Sequence, residues 1–93
     1  MSEGYKIEIV NPERSFLLKE SVSEVVVPAF EGDIGILKDH ISIISFLKPG
    51  LVKIIGTTSA ETIYYVEDGI IEFRNNCLSI LTSNIFDVKK TVS

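Results

Sequence analysis

Ninety-three residues give room for one domain around one core and leave none for a second. The chain is 45% hydrophobic with a mean hydropathy of +0.30, an apolar surplus that points to surface reserved for a partner. Acids outnumber bases 13 to 9 for a net charge of -4, and the largest basic cluster is the Lys89-Lys90 pair, which excludes a phosphate-neutralising surface and with it nucleic acid as a partner.

Apolar residues recur at the two-residue period of strands, in short runs broken by turn residues. Tyr5, Ile7 and Ile9 alternate with Lys6 and Glu8, and Asn11-Pro12-Glu13-Arg14 supplies a turn. A second run covers Phe16 to Lys19. A third covers Ser21 to Pro28, in which Val25-Val26-Val27 suits a strand covered on both faces and Pro28, lacking an N–H, ends the ladder. Glu31 to His40 reads as a structured loop with a short strand inside it. Ile41 to Leu47 is a strand, Lys48-Pro49-Gly50 a turn, and Leu51 to Ile55 another strand. After a small-residue loop from Gly56 to Ala60, Glu61 to Val66 alternates again, with Tyr64 and Tyr65 on opposite faces. Asp68-Gly69 has the residues of a type I′ hairpin joining Thr62–Val66 to Ile70–Arg74, and Asn75-Asn76 makes a tight turn before Cys77 to Thr82. Ile85-Phe86 adds an edge strand. The expected fold is all-β, a small flattened barrel or sandwich of about eight to ten short, mainly antiparallel strands.

The order of signals between Val27 and Ile54 is more specific than a sandwich requires. Val-Pro-Ala-Phe-Glu-Gly-Asp-Ile-Gly-Ile-Leu is followed by His40, an apolar strand, and Leu-Lys-Pro-Gly-Leu-Val-Lys-Ile. Tyr64-Tyr65-Val66 then precedes Asp68-Gly69-Ile70-Ile71-Glu72, with Asn75-Asn76 and Leu78 to Leu81 behind. This sequence of motifs resembles the N-terminal β-sandwich of the epsilon subunit family of F-type ATP synthases, from about Tyr5 to Ile85. The resemblance implies a domain over residues 1–87 with a short tail at 88–93. It also implies a non-catalytic rotor subunit that couples proton-driven rotation of the c-ring to the gamma subunit during ATP synthesis. The implied location is peripheral, on the cytoplasmic side of the bacterial inner membrane or the equivalent organellar face. Contacts to the c-ring would come from Glu31, Gly32, Asp33, Ile34 and Gly35, and contacts to gamma from His40 and Ser45. The family commonly has Pro-Gly just before the His, where this chain has Lys38-Asp39, and usually a small residue where this chain has Phe30, which is expected to be a contact residue. Many members continue into a two-helix hairpin that can inhibit hydrolysis or bind ATP; this chain shows no helical pattern, so those activities are expected to be absent.

Residue chemistry alone leaves an ordinary turn and a contact loop both open for Glu31–Gly35. His40 is the sole histidine, without the company a metal site or triad needs, and reads as a turn or interface histidine. Cys77 is the sole cysteine, which excludes an intramolecular disulfide, fits a reducing compartment, and packs as a small hydrophobe. Asp33, Asp39, Glu67 and Asp68 miss the spacing of a calcium loop, and Gly32-x-x-Gly35 opens no helix that could cradle a phosphate. No catalytic, cofactor or metal residues are therefore assigned. Met1 to Tyr5 carries no apolar segment after a basic start, and the apolar runs are far shorter than the ~20 residues of a membrane span, so no direct membrane insertion is expected. The competing readings are a small β-barrel binding module for a sugar, peptide or other ligand, and a small hydrolase or isomerase, for which no acid-base pair is present.

Overall fold

A computed structural model describes residues 4–12 and 14–88, with 14–20 described by their backbone alone. Nine strands run in chain order: β1 (Tyr5–Asn11), β2 (Arg14–Ala29), β3 (Gly32–Leu37), β4 (Ile43–Leu47), β5 (Gly50–Gly56), β6 (Glu61–Val66), β7 (Gly69–Arg74), β8 (Cys77–Leu81) and β9 (Ile85–Asp87). The expected all-β sandwich is what forms. The two runs separated in the sequence at Glu20 are one 16-residue strand, β2, whose first part pairs with β1 and whose second part pairs with β3 and β5. The change of partners falls at Ser21, which takes a φ of 64° beside a register shift at Val22/Glu24. A bulge of this kind bends a strand and lets it pass from one layer to the other. One layer is thus β4, β7, β8, β1 and the start of β2, and the other is β3, the end of β2, β5, β6 and β9. All pairings are antiparallel except β1 with β8.

The period-two pattern explains the core. Tyr5, Ile7 and Ile9 of β1, Ile71 and Phe73 of β7, and Leu78 and Ile80 of β8 meet Val25 and Val27 of β2, Ile36 of β3, Val52 and Ile54 of β5, and Tyr64 and Val66 of β6. Most of these side chains alternate with neighbours that face outward, as the two-residue period of a strand requires. Val26 departs from the expectation of a doubly covered run: it lies on the outer face and is half-buried. Pro28 does not end its strand. It pairs with Asp33 beyond the last β2–β5 pair, where a residue without an N–H is tolerated, and its carbonyl accepts from Lys48 N–H at 2.9 Å.

The Asp68-Gly69 hairpin does not form. β6 pairs with β5 and β9, and β7 with β4 and β8, so the link carries the chain from one layer to the other. Asp68 keeps a negative φ, whereas a type I′ turn needs positive φ at both residues. Thr82, only 2% exposed, fixes the crossing by donating its hydroxyl to the Asp68 carbonyl at 2.7 Å. Gly69 is required there, because a Cβ would stand 2.9 Å from the Leu81 carbonyl oxygen. Asn75 and Asn76, at φ 53° and 54°, do form the expected tight turn.

Candidate partner-binding face

The segment from Glu31 to Gly35 is less loop than the sequence suggests. Phe30 and Glu31 form a two-residue turn, and Gly32 to Gly35 already belong to β3, paired with β2 from Ala29↔Gly32 to Val26↔Gly35. Both turn residues keep negative φ, so the strand mismatch is absorbed by Gly32 at φ 129°. Glu31, Asp33 and Gly35 are exposed. Ile34 lies on the other face, at the parity it shares with Gly32, and packs against the core.

β3 then runs to Leu37, about 17–20 Å from the turn by strand geometry. At that far end His40 N–H donates to the Leu37 carbonyl at 3.1 Å, closing a second turn. The His40 ring stands edge-on to buried Phe73 at 6.0 Å and 90°, and its Nδ1 lies 2.7 Å from the Ile41 carbonyl. Phe73 is itself wedged edge-on by Tyr5 at 5.2 Å, whose hydroxyl donates to the Ile36 carbonyl. Burial holds that hydroxyl well above the usual tyrosine range, with Glu24 adding to the effect. His40 is thus a half-buried residue at the head of a rigid aromatic stack.

β4 returns along the molecule between these two turns. Its inward positions are Ile43, Ser45 and Leu47, and its outward positions are Ile44 and Phe46. Ser45, with Ile34 and Ala29, lines a groove of about 260 Å³ whose other walls include Phe30, Glu31 and Phe46. His40 and Ser45 are therefore on one connected segment, and Ser45 shares its groove with Glu31 of the other predicted site.

The sequence reading did not single out the stripe that joins them. Ile41 (79% exposed), Ile44 (71%) and Phe46 (62%) run along the outside of the segment from His40 toward the β2–β3 turn, where Phe30 (65%) stands. Across the sheet Phe46 is level with Ile70, Leu81 and Val10, while the next row, Ile44, Glu72, Ser79 and Glu8, turns polar. Below Phe46 and Ile70 a groove of about 380 Å³ opens toward Pro12 and Ser83. The available signal was that Ile41–Leu47 is apolar at both parities, which a strand with one wet face does not need. On the opposite outer face, Leu51, Tyr65 and Phe86 form a shorter apolar row.

Among the described residues no three His, Cys, Asp or Glu gather to hold a metal ion, and no helix is long and apolar enough to cross a membrane. Cys77 is a half-buried free thiol. What the face can do is bind another protein: apolar residues supply the desolvated centre, and the carboxylates of Glu31 and Asp33 supply a polar rim.

Comparison with known proteins gives the same family as the motifs. The profile described as "ATP synthase, Delta/Epsilon chain, beta-sandwich domain" matches residues 4–88. The chain is 73% identical over 89 residues to the ATP synthase epsilon chain of Pelagibacter ubique (strain HTCC1062), covering 96% of this chain and 68% of that one. It is 38% identical over 81 residues to the ATP synthase epsilon chain of Dichelobacter nodosus (strain VCS1703A), covering 87% and 56%. Among solved structures it superposes with a TM-score of 0.86 on a chain of the Euglena gracilis mitochondrial ATP synthase, at 17% identity and covering 94% of this chain and 55% of that chain. A chain from the central stalk and c-ring of the Tetrahymena thermophila mitochondrial ATP synthase gives 0.77 at 18% identity, covering 92% and 68%. At these identities the structural likenesses speak for the fold.

Proposed function

Because the chain belongs to the ATP synthase delta/epsilon chain family, we propose that it is a non-catalytic rotor subunit of the central stalk, passing c-ring rotation to the gamma subunit during ATP synthesis. The observation that carries this reading is the exposed apolar stripe Ile41–Ile44–Phe46, which runs between the His40 turn and the Glu31 turn. A torque joint needs two attachment points on one stiff body. Here the two turns cap opposite ends of β3, and paired strands with a dry core separate them.

In this mechanism the stripe and Phe30 dock on gamma, with His40 and Ser45 in the contact. The carboxylates of Glu31 and Asp33, with Gly32 letting backbone approach, engage the polar loops of the c-ring. Gly35 extends that contact along β3, and Ile34 anchors the strand beneath it. Rotation of the ring pushes the turn, the sandwich moves as a unit, and gamma follows. No proton or nucleotide passes through this domain. The subunit acts from outside the bilayer, on the cytoplasmic side of a bacterial inner membrane or the equivalent organellar face, held there by its partners. The family membership and the fold support the partner class, while the stripe supports the docking face.

The test is size-exclusion chromatography of the purified chain with an ATP synthase gamma subunit. Co-elution as a one-to-one complex at low and moderate salt is expected. Separate elution under both conditions contradicts the proposal.

A further inference from the structure

The turn that presents His40 is built from residues that do not specify it. Lys38 has negative φ and Asp39 a φ of 66°, and the His40 amide bonds back to Leu37, which are the features of a type II turn. That turn is best made by Pro followed by Gly, and Lys38-Asp39 supplies no stiff residue and, at the positive φ, a residue that accepts it less readily than glycine. Aspartate tolerates this φ but does not favour it as glycine does, so a contact from outside the turn adds to its stability.

The structure assigns that role to Asn76, and we propose that its side chain is a positioning residue for partner docking. Asn76 Oδ1 accepts from the Asp39 backbone N–H at 2.7 Å, and Asn76 Nδ2 donates to Asp39 Oδ1 at 3.0 Å. This reciprocal pair grips both the backbone and the side chain of the one residue whose conformation decides the turn. Asn76 is well fixed for the purpose: it lies in the tight β7–β8 turn at φ 54°, and its carbonyl accepts from Lys6 N–H at 3.3 Å. A rotation at Asp39 swings the His40 ring off Phe73 and redirects Ile41, the most exposed apolar residue of the stripe. The clasp therefore sets the direction of the partner-facing segment before docking, so that binding does not have to order it. The proposal rests on the partner reading given above.

The test uses the full chain with gamma subunit as the probe, and the variant Asn76→Gly, which keeps the left-handed hairpin and removes the amide. Expected are about tenfold faster exchange of the His40 amide and about tenfold weaker gamma binding, with little change in melting temperature. Adding Lys38→Pro and Asp39→Gly, which build the turn without the clasp, restores both. An unchanged Kd, or a loss that the Pro-Gly pair does not recover, overturns the proposal. If the unaltered chain does not bind gamma at all, the partner reading fails, and exchange in the free chain decides the clasp: a faster His40 amide supports it and an unchanged one overturns it.

Discussion

Phe46→Thr separates the stability of the sandwich from its capacity to dock. Phe46 is 62% exposed on an outward position of β4, level with Ile70. Full burial of a phenylalanine stabilises by about 3 kcal/mol, so about 1 kcal/mol of that is already realised in the fold and about 2 kcal/mol is left for a partner. Threonine keeps the preference for a strand, which confines the change to lost apolar area. The expected result is a loss of about 1 kcal/mol or less in urea unfolding and about 30-fold weaker binding to gamma by calorimetry. Phe86→Thr is the control. Phe86 is 52% exposed on the opposite face, on β9 beside Tyr65, and its substitution should leave gamma binding unchanged. Equal losses from the two variants, or no loss from Phe46→Thr, would falsify the assignment of the docking face.

Asp33→Arg reverses an exposed charge paired opposite Pro28 at the outer end of β3, so the fold is kept while the c-ring contact weakens by about tenfold. In reconstituted vesicles ATP turnover continues and proton pumping per turnover falls; unchanged pumping counts against this turn. Thr82→Val removes the part-buried bond to the Asp68 carbonyl and the acceptor of the Asn84 N–H, costing about 0.5–1.5 kcal/mol in denaturant unfolding. Stability within a few tenths of the parent shows that the crossing does not depend on this hydroxyl. Tyr5→Phe tests the alkaline limit. Burial raises the folded-state pKa of Tyr5 above its ordinary 10.0, so as pH climbs past about 10 the unfolded chain loses its proton first and stability falls by up to about 1.4 kcal/mol per pH unit. The variant is less stable at neutral pH by about 1 kcal/mol but loses less on going from pH 9 to 11. Tyr64, raised mainly by burial and further by Asp87, leaves part of the slope in place. An alkaline arm as steep as the parent's contradicts the assignment.

The strands were legible where one face is apolar and the other wet. β1, β6, β7 and β8 follow the alternation nearly residue for residue, and Asn75-Asn76 announced its turn because few other residues accept two positive φ values in succession. What failed was connectivity. Asp68-Gly69 carries hairpin chemistry, yet only long-range contacts, the Thr82 hydroxyl and the Leu81 carbonyl against Gly69, tell the chain to change layers there. The continuous β2 was hidden for a similar reason: its bend at Ser21 is set by which strand lies beside it, β1 before and β5 after. At the site, the motif positions Glu31, Asp33, His40 and Ser45 could be found by resemblance, whereas the Asp39–Asn76 clasp joins residues 37 positions apart and has no local signal. Ile44 and Phe46 were read as part of an apolar strand, and their outward direction needs the register of β4 against β7.

Cross-linking within an assembled F-type ATP synthase tests the rotor-joint account most directly. In a Cys77→Ser background, Glu31→Cys, Ile44→Cys and Tyr65→Cys each place one thiol on the β2–β3 turn, the β4 stripe and the opposite face, respectively. With a short thiol-anchored photo-cross-linker, the thiol at position 31 should capture the c-ring, that at 44 should capture gamma, and that at 65 neither. Capture of gamma from position 65, or failure of position 31 to reach the c-ring in an enzyme that still pumps, contradicts the account.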